Sequence, residues 1–274
     1  MILDEIVEET KKRIKKAKEE ESLASIQRRA KEALNSKETK RGFVNQLKRP
    51  GLNFICEVKK ASPSKGIIAE EFPYVAIARE YEKAGAACIS VLTEPYFFKG
   101  QNTYLTEIKQ QVGIPVLRKD FIIDAYQIYE AKAIGADCIL LICAILSKEQ
   151  LKEYLALAKT LQMDALVEAH DELEVSMALE AGAVLIGVNN RNLKDFSVDI
   201  TRSLTLRKKV PKDIVFVAES GIKTKEDILQ LYEAGANGVL IGETFMRSNN
   251  KREMLQELTS LLPLERGMDN EYKD

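Results

Sequence analysis

The stretch REYEKAGAACISVL (79–92) joins a helix-like segment, a Gly-Ala pair and a short apolar run, and the same order recurs three more times. The other copies are YEAKAIGADCILLI (129–142), SMALEAGAVLIGV (176–188) and LYEAGANGVLIG (231–242). Their glycines, Gly85, Gly135, Gly182 and Gly235, are 50, 47 and 53 residues apart, about twice the length of one strand–helix unit. Each glycine suits the left-handed residue that follows a helix C-terminus. The repeat therefore predicts alternating helices and strands.

Four further apolar runs of strand length lie between these copies: NFICEV (53–58), IPVLRK (114–119), DALVEA (164–169) and IVFVAE (214–219). Eight strands that alternate with helices are typical of the (β/α)8 TIM barrel, the α/β fold that we predict. A doubly wound open sheet has the same alternation, but it rarely needs eight strands with polar residues at so many strand ends.

We predict a single domain over residues 1–274. The charge-rich helical pattern of residues 1–48 predicts an N-terminal helical extension packed on the barrel, which spans residues 49–262. Residues 263–274 are polar and are expected to form a frayed tail. Residues 62–72, which include Pro63 and Gly66, predict a long loop that acts as a mobile lid.

Composition excludes several classes of partner. Lysine and arginine total 41 and aspartate and glutamate 42, for a net charge of −1. Without an excess of positive charge the chain cannot hold a polyanion, so nucleic acid is not expected as a partner. The N-terminus lacks the apolar core of a signal peptide, and no run reaches the ~18–20 apolar residues of a membrane span. We therefore expect a cytoplasmic protein with no membrane partner.

Cysteine and histidine usage narrows the chemistry further. The four cysteines lie inside apolar segments without a C-x-x-C pair, which is typical of buried thiols in a reducing compartment. The single histidine, His170, argues against multi-histidine metal sites and against Ser-His or Cys-His nucleophilic pairs, and we expect no metal. As a lone loop histidine it is expected at the surface, outside the site. Acid–base work then falls to lysine and glutamate.

Charged or amide side chains stand at or near the ends of the predicted strands. The C-terminal strand ends of a parallel barrel meet at one mouth, where barrel enzymes hold their active sites. Glu57 and Lys59 are two residues apart, so both face the interior. A buried carboxylate or ammonium needs an opposite charge, so the two form either a structural ion pair or a contact with a charged substrate. The other such side chains are Lys119, Glu168, Asn189 and Glu219.

Lys119 is the first choice for a general acid. Carboxylates such as Glu57 would keep its ammonium protonated, ready to deliver a proton to a carbonyl oxygen. A Schiff-base nucleophile is the competing interpretation, but it would need neighbours that lower the lysine pKa, and glutamates do the opposite. Arg118, the next residue, points away from the interior and is interpreted as structural.

A phosphate cup is predicted from two glycine-containing turns, VAESGI (217–222) and VLIGETFM (239–246). Loops after the seventh and eighth strands often bind phosphate in this fold. Gly221 and Gly242 would let backbone N–H groups approach the anion, and a short helix beyond Gly242 would add favourable dipole charge. Tight strand–helix turns that need glycine are the alternative explanation.

Together these motifs resemble the indole-3-glycerol-phosphate synthase family. The segment EVKKASPSKG (57–66) resembles the family signature Glu-x-Lys-x-x-Ser-Pro-Ser-x-Gly at every specified position. The segments RKDFIIDAYQIYEA (118–131), LVEAHDE (166–172), IGVNNRNL (186–193) and VAESGI (217–222) are similar to further family segments in the same order. The resemblance extends from about residue 2 to residue 262.

The resemblance implies a substrate, 1-(2-carboxyphenylamino)-1-deoxyribulose 5-phosphate, and its decarboxylating, dehydrating ring closure to indole-3-glycerol phosphate without a cofactor. It implies that Lys119 protonates the ketone, that Lys59 holds the carboxylate or acts in a later proton transfer, and that Glu57 orients Lys119. Glu168 and one of the lysines would then serve the dehydration. The implied substrate-binding residues are Ser62, Asn189, Arg191, Glu219 and Ser220, and the implied phosphate-binding residues are Gly221, Gly242 and Glu243.

Glu243 departs from the family pattern, since a small hydroxyl residue often stands there. A carboxylate would repel phosphate, so we expect only its backbone N–H to contribute while the side chain points to solvent. Association with other enzymes of the tryptophan pathway is left open by the sequence.

Two other functions fit parts of the pattern. A different phosphate-binding barrel, such as a sugar-phosphate isomerase or a Schiff-base aldolase, shares the fold and the cup. A catalytically silent barrel with a scaffolding role would be expected to lack some of the charged mouth residues, and here all of them are present.

Overall fold

A computed structural model describes residues 2–35, 41–192 and 196–263. Eight parallel strands form a closed barrel in which each strand pairs with the next along the chain. The last strand pairs with the first, with Gly238 opposite Asn53, so the ring closes. The predicted TIM barrel is confirmed. The strands are β1 Asn53–Val58, β2 Cys88–Leu92, β3 Val116–Lys119, β4 Cys138–Ile142, β5 Asp164–Ala169, β6 Leu185–Asn189, β7 Val215–Glu219 and β8 Gly238–Ile241.

Helices connect the strands and surround the barrel. The four repeat glycines have φ values between 83° and 104°, the left-handed conformation predicted for them. The helices are α1 Ile2–Glu20, α2 Leu23–Leu34, α3 Phe43–Leu47, α4 Tyr74–Ala84, α5 Asn102–Gln111, α6 Ala125–Ala133, α7 Lys148–Thr160, α8 Glu172–Glu180, α9 Thr201–Arg207, α10 Lys225–Glu233, α11 Glu243–Arg247 and α12 Lys251–Thr259, with a 3₁₀ turn at Cys143–Ile145. None of the helices in the described ranges is long and apolar enough to cross a membrane.

The barrel wall is apolar on both faces. Inward side chains such as Ile55, Leu117 and Leu166 form one buried cluster, and outward side chains pack with the helices in a second. Because both faces of the wall are buried, each strand appears in the sequence as a continuous apolar run. All four cysteines are buried and unpaired within these layers, as predicted.

The N-terminal helices occupy both ends of the barrel. Helix α1 lies at the mouth, where Arg13 donates to Asp120 Oδ1 at 2.7 Å just beyond β3. Helix α3 closes the opposite end, because Val44 N donates to Asp164 Oδ2 at 3.0 Å where β5 begins. Helix α2 packs against α6 on the outside of the barrel. The extension was predicted to pack on the barrel, and the structure shows that each of its three helices does so.

The segment after β1 has structure of its own. Ala61–Ser62 pairs antiparallel with Gly66–Ile67, so part of the predicted loop is a small hairpin. Its mobility stays a prediction. The division of the chain at residues 48 and 262 also stays a prediction. Residues 264–274 of the predicted tail lie outside the described ranges.

Candidate active site

A cavity of about 610 Å³ opens at the C-terminal ends of the strands. Its wall combines the strand ends with part of α1 and with the segment after β1. Every site residue predicted from the sequence lines it: Glu57, Lys59, Ser62, Lys119, Glu168, Asn189, Arg191, Glu219, Ser220, Gly221, Gly242 and Glu243. The strand ends therefore converge on one chamber that is large enough for a small-molecule substrate.

Glu57 and Lys59 form an ion pair on one side of the chamber. The Glu57 side chain is buried and that of Lys59 is mostly buried, so each charge is compensated where water is scarce. A Cβ at position 242 would clash with both the Glu57 carboxylate and the Lys59 ammonium. A side chain at position 242 would therefore displace the tips of Glu57 and Lys59 from their present positions beside the β8 turn.

Lys119 ends β3 and stands between two glutamates. Its Nζ lies 3.4 Å from Glu168 Oε2 and 3.6 Å from Glu219 Oε2. Burial alone would lower the pKa of Lys119, but the charges of Glu168 and Glu57 and the hydrogen bond to Glu168 outweigh it and raise the pKa. The side chain is therefore an ammonium at neutral pH.

The contacts of the neighbouring Arg118 confirm that its role is structural. It is 1% exposed and points out of the chamber into the wall. There it donates to Gln127 O at 2.9 Å and to Thr93 Oγ1 at 3.1 Å. These bonds fix the strand that presents Lys119.

Glu168 and Glu219 face the same lysine but differ in charge state. Burial would raise the pKa of Glu168, yet Lys119, His170 and a hydrogen bond from Asn189 together lower it. Burial and the nearby Glu168 charge raise the pKa of Glu219 to about 8. Neither Glu219 carboxylate oxygen has a hydrogen-bond partner among the described residues. Glu168 is thus ionised at neutral pH, whereas Glu219 is largely protonated.

The turns after β7 and β8 form the other side of the chamber. Ser220 and Gly221 have φ values of 66° and 77°, so two successive residues are left-handed. Beyond Gly242, helix α11 begins at Glu243, as the predicted short helix requires. The Glu243 carboxylate lies 3.2 Å from Arg247 Nε and 3.8 Å from Lys65 Nζ. These cations offset the negative charge of the Glu243 carboxylate, which would otherwise repel phosphate.

Sequence reasoning missed several residues of this chamber. Lys65, Lys223 and Arg247 add positive charge near the β7 and β8 turns. Their positions depend on how the loops fold back, which no local pattern shows. Apolar side chains also line the chamber, and they include Ile2, Leu3 and Ile6 of α1 with Phe98 and Phe121, whose ring centroids are 6.0 Å apart. The apolar side chains of α1 do give a helical stripe in the sequence, but a stripe alone does not say which surface it covers.

His170 is not at the surface, contrary to the sequence-based expectation. Its side chain is 15% exposed and lies behind Glu168, outside the chamber lining. Nδ1 is 3.2 Å from Glu174 Oε2, and Nε2 is 3.6 Å from Glu168 Oε1. The fold of the β5–α8 turn buries a residue that its polar neighbours made look exposed.

Comparison with protein families gives one match over nearly the whole chain. The model of the family described as indole-3-glycerol phosphate synthase matches residues 3–258. A protein of that name from Endomicrobium trichonymphae is 58% identical over 94% of this chain and 99% of its own length. Another from Lachnoclostridium phytofermentans is 54% identical over 96% of this chain and 100% of its own length.

Solved structures with a similar fold are more distant in sequence. 3-Hexulose-6-phosphate synthase from Salmonella typhimurium superimposes with a TM-score of 0.62 at 15% identity, over 76% of this chain and 97% of that one. Thiamine phosphate pyrophosphorylase from Pyrococcus furiosus gives a TM-score of 0.58 at 17% identity, over 79% of this chain and 95% of that one. At these identities the likeness concerns the fold alone.

Proposed function

We propose that this chain, which belongs to the indole-3-glycerol phosphate synthase family, closes the indole ring of 1-(2-carboxyphenylamino)-1-deoxyribulose 5-phosphate through acid–base catalysis by Lys119 and Glu168. The products are indole-3-glycerol phosphate, carbon dioxide and water. The enzyme is accordingly a carboxy-lyase of tryptophan biosynthesis, and its substrate is a small sugar phosphate.

The observation that carries this proposal is the protonated Lys119 between Glu168 and Glu219. Ring closure needs an acid at the ketone oxygen, because the carbon nucleophile pushes the carbonyl electrons onto that oxygen. An ammonium whose pKa is raised by neighbouring carboxylates supplies this proton. The same charges disfavour a Schiff base, since that route needs a neutral amine.

Ring closure and decarboxylation follow from the two lysines on different strands. The aromatic carbon that bears the carboxylate attacks the ketone carbon, and Lys119 donates its proton to the oxygen. Lys59, whose ammonium is held by Glu57, is placed to receive the substrate carboxylate. The bond to that carboxylate then breaks, carbon dioxide leaves, and its bonding electrons restore the aromatic ring.

Dehydration then needs an acid for the departing hydroxyl and a base for the proton that leaves the ring. Glu168 is the base, because it is ionised and in contact with Lys119. A lysine ammonium protonates the hydroxyl, which leaves as water. The overall conversion of the substrate, whose carboxylate is ionised, consumes one proton. The site must therefore take up one proton from solvent in each cycle.

Binding of the substrate is assigned to the polar residues around these groups. Asn189, Arg191, Glu219, Ser220 and Ser62 hold the hydroxyls and the rim of the chamber. Backbone N–H groups at Gly221, Gly242 and Glu243 hold the phosphate, with Lys65 and Arg247 as nearby counter-charges. The apolar rings of Phe98 and Phe121 suit the anthranilate ring.

The test is a fluorescence assay for indole product with purified protein and the carboxyphenylamino-deoxyribulose phosphate. We expect turnover by the wild type and a loss of about 10²- to 10⁴-fold in kcat for Lys119→Ala, the usual range for a general acid. Lys152→Ala, which removes an exposed lysine on α7, is the matched control and should leave kcat unchanged.

Two outcomes would overturn the proposal. A wild-type protein that binds this substrate without forming product does not have the assigned reaction. Borohydride trapping of substrate on Lys119 would instead show a Schiff-base enzyme.

A further inference from the structure

We propose that His170, held as a cation by Glu174, is a positioning residue that keeps Glu168 ionised and oriented toward Lys119. The inference rests on the proposed role of Glu168 as the catalytic base. His170 does not line the chamber, so it acts on the reaction through Glu168.

The imidazole ring lies between two carboxylates. Nδ1 is 3.2 Å from Glu174 Oε2, and a carboxylate can only accept, so Nδ1 carries a proton. The opposite nitrogen, Nε2, is buried and faces Glu168 Oε1 at 3.6 Å. In a neutral ring this nitrogen would turn its lone pair toward a negative oxygen. Protonation replaces that repulsion with an N–H directed at Glu168.

Glu174 is fixed well enough to hold the ring. Its Oε2 also accepts a hydrogen bond from His170 N at 2.7 Å, and its own backbone N donates to Asp171 Oδ1 at 2.9 Å in the first turn of α8. The Glu174 side chain is 20% exposed, so it joins the buried ring to the protein surface.

The charged groups around His170 are mainly negative. Glu168 faces it from β5 and Glu174 from α8, while Asp171 is its neighbour in the chain and Lys119 lies beyond Glu168. Glu219 of β7 is farther from the ring and is largely protonated. Burial would lower the pKa of His170, but the hydrogen bond to Glu174 and the charges of Glu168 and Glu174 outweigh it and raise the pKa. The surroundings therefore favour the cation.

Glu219 shows what Glu168 would become without this cation. Both carboxylates are buried, and Lys119 lies at 3.4 Å from one and 3.6 Å from the other. Glu168 has His170 on its second oxygen and a hydrogen bond from Asn189. Among the described residues, Glu219 accepts no hydrogen bond and forms no ion pair with His170, and its pKa rises to about 8. The cation at His170 is thus one reason why Glu168 is ionised while Glu219 is protonated.

The direct test is an NMR titration of protein labelled with ¹³C,¹⁵N-histidine. His170 is the only histidine of the sequence, so a protein without a histidine tag gives a single, unambiguous imidazole. We expect a titration midpoint above the ordinary value of about 6.5. Glu174→Gln and Glu168→Gln should each lower that midpoint, and Glu172→Gln, at an exposed glutamate of the same helix turn, should not.

The kinetic test is the pH profile of kcat/KM for His170→Gln. Loss of a cation beside a carboxylate raises its pKa, so the acidic limb should move upward by about one pH unit. Glu174→Gln should move it in the same direction by less, and circular dichroism should show both variants folded.

Either of two results would overturn the inference: a wild-type His170 whose titration midpoint is not above about 6.5, or an acidic limb that His170→Gln leaves in place. Failure of the proposed reaction is distinguishable, since the wild type would then form no product at any pH while the NMR titration still reported the charge of His170.

Discussion

The two ends of the barrel differ in the side chains that fill them, which are mainly apolar at the bottom and charged at the mouth. At the bottom, Phe43 and Leu47 of α3 are fully buried, and the amide of Asn53 donates to Leu47 O, Arg49 O and Asn237 O. At the mouth, Glu219 is buried without a hydrogen bond, and Ser220 has a left-handed backbone. The same strands thus carry a mainly apolar, stabilising end and an end whose residues are arranged for chemistry at some cost in local stability.

The largest effect is expected when one phenylalanine is truncated at each end of the barrel. Phe43→Ala at the bottom should lower the free energy of unfolding by about 3–5 kcal/mol, because a fully buried ring leaves a cavity. Phe98→Ala at the mouth, where the ring is only partly buried, should cost less stability and raise KM. Urea unfolding and steady-state kinetics on both variants measure the two effects.

Folded Phe43→Ala protein should keep the wild-type kcat. If it lost activity while folded, or if Phe98→Ala were the less stable of the two variants, the separation between the ends would not hold.

A smaller effect should come from the unsatisfied carboxylate at the mouth. The pKa of Glu219 is raised to about 8, so the folded state holds a proton that the unfolded state releases near pH 4.5. Wild-type stability should therefore decline as pH rises from about 4.5 to about 8, and Glu219→Gln should remove this part of the decline. Relative to wild type, the variant should gain at most about 4 kcal/mol between pH 5 and pH 9, since three pH units contribute about 1.4 kcal/mol each.

Urea unfolding at pH 5, 7 and 9 measures this gain. Glu226→Gln, at an exposed glutamate of α10, is the control and should follow the wild type at each pH. A difference between Glu219→Gln and wild type that stayed constant with pH would show that Glu219 is ionised throughout.

The smallest effect is expected at Glu243, whose side chain faces cations and not the reacting groups. Glu243→Gln releases Arg247 and Lys65 from an exposed pair worth about 0.5 kcal/mol. KM should fall by roughly two-fold with kcat unchanged, and Glu253→Gln, at an exposed position of α12, should alter neither. A ten-fold loss of kcat would instead place the Glu243 carboxylate in the chemistry.

The barrel was predictable because its signals are local. Gly85 and its three counterparts mark helix ends by a backbone conformation that glycine adopts readily, and the apolar runs mark strands whose two faces are both buried. The strand-end residues followed from topology, since parallel strands bring their C-termini together.

The remainder depends on tertiary contacts that no local pattern encodes. Helix α1 is amphipathic, but only the folded chain shows that it covers the mouth, with Arg13 anchored at Asp120. His170 looked like a surface residue because its neighbours in the sequence are polar. Its burial and its contact with Glu168 arise from the turn that Glu174 stabilises.

The pairing of β1 with β8 has a consequence for synthesis on the ribosome. About 185 residues separate Asn53 from Gly238, which face each other in the closed ring. At roughly 5–20 residues per second, the first strand waits about ten to forty seconds for its second neighbour. Until then one edge of the nascent sheet stays open, and α1, although made before the strands, lacks part of the rim on which it lies. The catalytic chamber is therefore completed only after β8 has been made, and a chain stalled before β8 should be inactive.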